Sequence, residues 1–160
     1  MKQRHNFNKK VVKYGEKWDS QYELKFFEQF ILPNVRPYNS TAKLVCHVHE
    51  GFILEHKKPC RGLNVPSEKY TPDFVIYNED MEMVHVYDVK SSINAKHPAK
   101  CATDIAKSKF RRFMTRYDIP VEVVVPRTHD FKMAMISFTK KLPITYHKNI
   151  NYDIGRYVGQ

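Results

Sequence analysis

Two short segments, YTPDFVIYN (residues 70–78) and EMVHVYDVK (residues 82–90), constrain this chain more than any other feature. Each is rich in β-branched and aromatic residues, and a tight acidic turn at Glu79 and Asp80 joins them, so together they read as an antiparallel hairpin. If the turn centres between Asp80 and Met81, Tyr77 lies opposite Val84, Val75 opposite Val86, and Asp73 opposite Asp88. Period-two alternation brings Lys90 to the face of Asp88. Opposed side chains on one sheet face have Cβ atoms about 5 Å apart. Two carboxylates that close repel unless one is protonated or a cation bridges them. A divalent metal resolves the conflict, and hard oxygen donors suit Mg²⁺, with Mn²⁺ as its substitute. Such ions keep several waters and accept substrate phosphate, and a nearby lysine is placed to orient a water or neutralise developing charge. Glu23 supplies a further carboxylate from the first helix.

Charge says what class of partner to expect. The chain has 27 Lys and Arg against 17 Asp and Glu, a formal net charge of +10 over 160 residues. Anionic partners are favoured, and nucleic acid best of all, because released counterions reward dispersed cations. The length suits one domain with its own core. No apolar run approaches the roughly 20 residues needed to span a bilayer, and MKQRHNFNKK is too polar for a signal peptide. No membrane partner is expected, and the expected location is cytoplasmic. Cys46, Cys60 and Cys101 form no CxxC pair, so no disulfide framework is expected.

The remaining elements follow from punctuation and periodicity. Residues 1–17 carry Lys2, Arg4, Lys9, Lys10, Lys13 and Lys17 against Glu16, and read as a flexible basic arm. A capping box, Ser20 to Glu23, opens a helix whose Tyr22, Phe26, Phe27, Phe30 and Ile31 recur at helical spacing up to Pro33. KLVCHVHEGFILEH (43–56) suits one long bent strand or a hairpin about Gly51, and KKPCRGLNVPSEK (57–69) reads as a loop. Residues 99–117 place Ala102, Ala106, Phe110, Phe113 and Tyr117 on one stripe of a basic amphipathic helix. Strands at 121–126 and 131–138 follow, and residues 139–160 read as a basic tail. The expected order is αβββαβ, an α/β fold with a mixed sheet flanked by helices, its core spanning residues 18–138.

The Pro-Asp and Asp-x-Lys pair is weak by itself, arising by chance in roughly one chain in ten of this composition. Its context is more specific. Pro72-Asp73 and Asp88-Val89-Lys90 resemble the signature of the PD-(D/E)XK nuclease superfamily. KWDSQYELKFFEQF, KYTPDFVIY, VYDVKSS and KSKFRRFMTRYDI more closely resemble small phage-associated nucleases of that superfamily, related to phage Holliday-junction resolvases. The resemblance covers about residues 14–125. Ser91 and Ser92 stand where such families often carry glycine, and Tyr87 where relatives often have an acid. The resemblance implies a restriction-endonuclease-like core and a metal-dependent DNA endonuclease. Asp73, Asp88, the Val89 carbonyl and Glu23 would hold Mg²⁺, with Glu23, Asp73, Asp88 and Lys90 as catalytic residues and no organic cofactor. Branched or junction DNA is the implied substrate, in phage recombination or DNA processing, and a homodimer follows from symmetric cutting. Lys9, Lys10, Lys13 and Lys17 of the arm, and Lys107, Lys109, Arg111, Arg112 and Arg116 of the basic helix, are the candidate DNA contacts. Competing readings are a transposon-end or restriction-type endonuclease on linear DNA, and a DNA-binding protein that keeps the fold without cleaving.

Plainer explanations compete at individual residues. The Ser20–Glu23 capping box accounts for Glu23 without catalysis. An ordinary strand ion pair accounts for Asp88 and Lys90, and a turn after Pro72 for Asp73. Cys46, His47, His49, His56 and Cys60 match no standard zinc spacing, and strand parity sets Cys46 against the two histidines. His47 and His49 instead suit a DNA-facing surface. Tyr14 and Trp18 suit core packing better than base stacking.

Overall fold

The computed structural model describes residues 10–93, 103–135, 137–138 and 145–147. Strands β1 (Val11–Lys13) and β2 (Glu16–Trp18) pair with each other, so the part of the expected arm from residue 11 onward is a hairpin. Its anchor is Trp18, fully buried, whose indole N–H donates to the Lys13 carbonyl at 2.9 Å. Lys9 and the rest of residues 1–9 lie outside the described residues.

Helix α1 (Gln21–Phe26) starts where expected. Ser20 is its N-cap and accepts the Glu23 N–H at 3.2 Å. The turns that follow are not α-helical. A π turn occupies Phe27–Ile31 and a 3₁₀ turn Leu32–Asn34, with Pro33 inside the latter. The wider turn lets Phe26, Phe27, Phe30 and Ile31 all reach the core.

Strands β3 (Val35–Arg36) and β4 (Leu44–Val48) then enter the main sheet. Strand β5 (Phe52–Glu55) leaves it and begins a ribbon completed by β6 (Lys58–Cys60), β7 (Leu63–Val65) and β8 (Glu68–Tyr70). The chain re-enters the sheet as β9 (Phe74–Tyr77) and β10 (Met83–Val89), the expected hairpin. Helix α2 (Asp104–Tyr117) is capped by Thr103, which accepts the Ala106 N–H at 3.1 Å. The first residues of the expected 99–117 helix, up to Ala102, lie outside the described residues, as does Cys101. Strands β11 (Glu122–Pro126), β12 (Phe131–Met135) and β13 (Thr145–His147) complete the sheet. Apart from β13, the expected tail lies outside the described residues.

The main sheet runs β13-β12-β11-β10-β9-β4-β3. It is mixed: β10 pairs parallel with β11 and β3 with β4, and the other pairs are antiparallel. The parallel β10–α2–β11 unit needs a crossover, and α2 supplies it. The expected α/β class with a mixed sheet and flanking helices is what the molecule adopts.

Each sheet face buries its own cluster. Phe110 and Phe113 of α2 cover Val75, Val86, Val121, Val123 and Val125 on one face, beside Tyr70, Phe52 and Leu54 of the ribbon. Trp18 and the α1 aromatics cover Phe74, Ile76, Tyr87, Val89, Val124 and Phe131 on the other. Strands β9–β11 are buried on both faces, which explains their nearly continuous apolar runs. Among the described residues, no helix is long and apolar enough to cross a membrane.

Candidate active site

The β9–β10 ladder sets the site. Val75 lies opposite Val86 and Phe74 opposite Tyr87, as the hairpin register predicts. Tyr77 lies opposite Met83 rather than Val84, because a bulge between Met83 and His85 adds a residue near the turn. The slip sits away from the aspartates, so it leaves their end of the ladder in register. The Asp73 N–H donates to the Tyr87 carbonyl at 3.1 Å, and the Val89 N–H donates to Asp73 Oδ2 at 2.6 Å.

Asp88 is buried on the α2 face, where the Tyr70 hydroxyl donates to its Oδ2 at 3.2 Å. Lys90 Nζ lies 2.5 Å from Asp88 Oδ1. Glu23 is buried too, and it performs both roles weighed from the sequence. It completes the capping box, with Ser20 Oγ donating to Oε1 at 3.2 Å and the Asp19 N–H at 3.4 Å from Oε2. It also faces the aspartates: burial, then Asp88, then Glu23 push the Asp73 carboxyl up to about 8, against the pull of the Val89 N–H and Lys90. Three carboxylates crowd one strand end, and their mutual repulsion adds to burial in favouring the protonated form of Asp73.

His49 belongs to this cluster, which the sequence reading did not foresee. Its Nε2 lies 3.0 Å from Glu23 Oε2, and that bond raises the imidazole pKa above its ordinary value. Strand parity groups His47 with His49, but His49 adopts φ +52°, a left-handed conformation that turns it out of the ladder toward α1. His47 takes a different environment, with Nδ1 3.0 Å from Glu50 Oε2 and its ring 4.7 Å from that of Tyr77. Asp19, Glu23 and His49 each bring one donor atom within 4.8 Å of the others, so they too could hold a cation. Tyr70 was also missed as a site residue, although it sits inside the Y-x-x-D-F segment.

The expected DNA contacts are dispersed. Lys10 lies 3.8 Å from Asp19, Lys13 pairs with Glu28, and Lys17 is exposed. On α2, Lys107 lies 4.0 Å from Asp104 and Lys109 is partly exposed. Arg111 lies against the Phe138 ring. Arg112 pairs with Glu68, and Arg116 donates to the Leu54 carbonyl at 3.0 Å. Trp18 packs against Phe27 in the core as expected, whereas Tyr14 is exposed, lying over the edge of Phe27 with its hydroxyl donating to Glu28 at 2.9 Å.

No family model, curated protein or solved structure matches this chain. The chemistry of the site therefore carries the functional argument.

Proposed function

We propose that this protein is a divalent-metal-dependent DNA endonuclease with a restriction-endonuclease-like core. The observation that carries this reading is the meeting of Asp73 and Asp88 across the β9–β10 hairpin, with Lys90 against one carboxylate and Glu23 beside the other. A binding protein gains nothing from buried acids at a phosphate-facing site. A phosphodiester hydrolase needs them.

The donor set fits Mg²⁺ or Mn²⁺, being built of hard oxygens whose mutual repulsion a cation relieves. Asp73, Asp88, Glu23 and the Val89 carbonyl would hold it. When bound, such an ion supplies Lewis acidity toward the phosphate and acidifies a coordinated water. The chain's own groups do the rest. The Val89 N–H fixes the Asp73 carboxylate, and Tyr70 fixes that of Asp88. Lys90, steadied by Asp88, would orient the attacking water and neutralise charge gathering on the phosphate. Preference for branched DNA, and a homodimer cutting both strands, rest on the sequence resemblance.

The test uses a labelled four-way junction and a matched linear duplex, with Mg²⁺ or with chelator, beside Asp88→Asn. Metal-dependent cutting of the junction, lost in the variant, is the expected result. Equal cutting of both substrates would keep the nuclease and discard the junction. Tight binding without cutting of either, unchanged in Asp88→Asn, would sink the nuclease.

A further inference from the structure

The segment read from the sequence as a loop, 57–69, is a projecting two-stranded ribbon. Phe52 pairs with Tyr70 and Ile53 with Lys69, and further out Lys58 pairs with Val65, Pro59 with Asn64 and Cys60 with Leu63. The tip is the two-residue turn Arg61–Gly62, with φ of +44° and +85°, the left-handed pair that matches strand twist in a tight hairpin. Every residue from Glu55 to Ser67 is exposed. Along that stretch Lys57, Lys58 and Arg61 answer a single acid, Glu55, and at the tip Leu63 is 73% exposed. An exposed outer ribbon that presents cations around an apolar tip fits a polyanion with a groove.

Its root is part of the candidate site. The ribbon leaves the sheet just after His49 and returns just before Asp73, and the His49 N–H donates to the Asp73 carbonyl at 3.1 Å to close the neck. Tyr70, the last ribbon residue, holds Asp88. On its other side the root meets α2, where Arg112 pairs with Glu68 and Arg116 bonds Leu54. Between them lies a cleft of about 490 Å³ lined by Arg111, Arg112 and Arg116 with Leu54 and Glu55. A polymer held by the ribbon thus meets three arginines where the ribbon joins α2.

We propose that ribbon 55–68 grips a nucleic-acid duplex along its groove, while the arginine cleft at its root takes backbone phosphates. Seven residues from Glu55 to the tip at Arg61 give about 23 Å of contour at strand spacing, about two thirds of a helical turn of B-DNA, and a two-stranded ribbon fits the major groove. Lys57, Lys58 and Arg61 would contact phosphates and Leu63 would sit between them in the groove. This inference takes its polymer from the nuclease reading, but its test does not use cleavage.

The test is fluorescence anisotropy of a labelled 30-base-pair DNA duplex in chelator, for the full chain, a triple variant Lys57→Ala/Lys58→Ala/Arg61→Ala, and Leu63→Asp. All four residues are exposed, so an unchanged thermal midpoint confirms intact folding. Each lost phosphate contact reduces the slope of log affinity against log salt by about 0.9, so the triple variant should show a slope shallower by about 2.7. Its affinity at 0.1 M salt should fall tenfold or more, and that of Leu63→Asp severalfold. An unchanged slope and affinity in the triple variant would overturn the proposal. So would loss of a dimer in Leu63→Asp on size exclusion with duplex affinity intact, which would make the ribbon a contact between copies of the chain. Ribbon-dependent binding by a protein that cuts nothing in Mg²⁺ would support this inference while removing the nuclease.

Discussion

Strand β10 carries two buried ionisable clusters three residues apart, and they are built in opposite ways. At His85, an imidazole meets the Glu122 carboxylate at 2.7 Å, both groups are 1% exposed, and the pair joins β10 to β11. At Asp88, Lys90 and the Tyr70 hydroxyl flank a carboxylate that faces Asp73, which in turn faces Glu23. The first cluster is one acid with one base. The second gathers three acids, two of them paired with His49 and Lys90. Both Glu122 and Asp73 have pKa values raised by burial, but only Asp73 is raised further by neighbouring acids. Burial raises both acids, and it is the neighbouring acids that set Asp73 apart from Glu122.

Four substitutions and one titration separate the two clusters. Asp73→Ala or Asp88→Ala should lower metal-dependent cleavage by about a thousandfold or more, since each removes a ligand and a charge partner. A loss below tenfold, measured at saturating metal, would move the chemistry elsewhere. Glu122→Ala leaves His85 buried without its acid and should cost about 3–5 kcal/mol by denaturant unfolding, in the range for breaking a buried pair. Asp73→Asn should do the reverse, stabilising the metal-free protein at pH 9 by on the order of 1–2 kcal/mol, because it removes a charge the fold disfavours.

The sign of that last effect follows from linkage. A carboxyl whose folded pKa lies near 8, above its value in the unfolded chain, stabilises the fold fully below the unfolded pKa. That stability drains away as pH rises toward and through 8. Metal-free thermal midpoints should therefore fall across pH 5–9 more steeply than those of Asp73→Asn. Mg²⁺ affinity should rise over the same window, because binding must displace the Asp73 proton. The smallest effect is Ser20→Ala. Loss of the N-cap should cost about 1 kcal/mol, while cleavage falls far less than in Glu23→Gln, which would separate capping from chemistry at this helix start.

Where apolar alternation meets burial, the sequence was easy to read. The β9–β10 hairpin brought Asp73 and Asp88 to one strand end as their spacing implied, since a register slip there would exchange the residues that meet α1 for those that meet α2. Three other features were hidden. A bulge at His85 has no compositional marker, so the turn-proximal pairing shifted by one. The ribbon is exposed on both faces, leaving no hydrophobic period, and its Pro59, Gly62 and Pro66 resemble loop punctuation. His49 joins Glu23 through a single left-handed residue, which strand parity cannot foresee. Val11 and Val12 belong to a hairpin too short to stand out from the cations around it.

The closed neck between His49 and Asp73 has a mechanical consequence. Because the His49–Asp73 hydrogen bond continues the β4–β9 ladder into the ribbon, a sideways load at the tip is passed along paired strands to the peptide that carries Asp73. The ribbon is a lever whose fulcrum lies beside Asp73. Shortening it by whole residue pairs would preserve the fulcrum and alter only the leverage. The length of the arm is in this sense an adjustable dial, set apart from the carboxylates it acts upon.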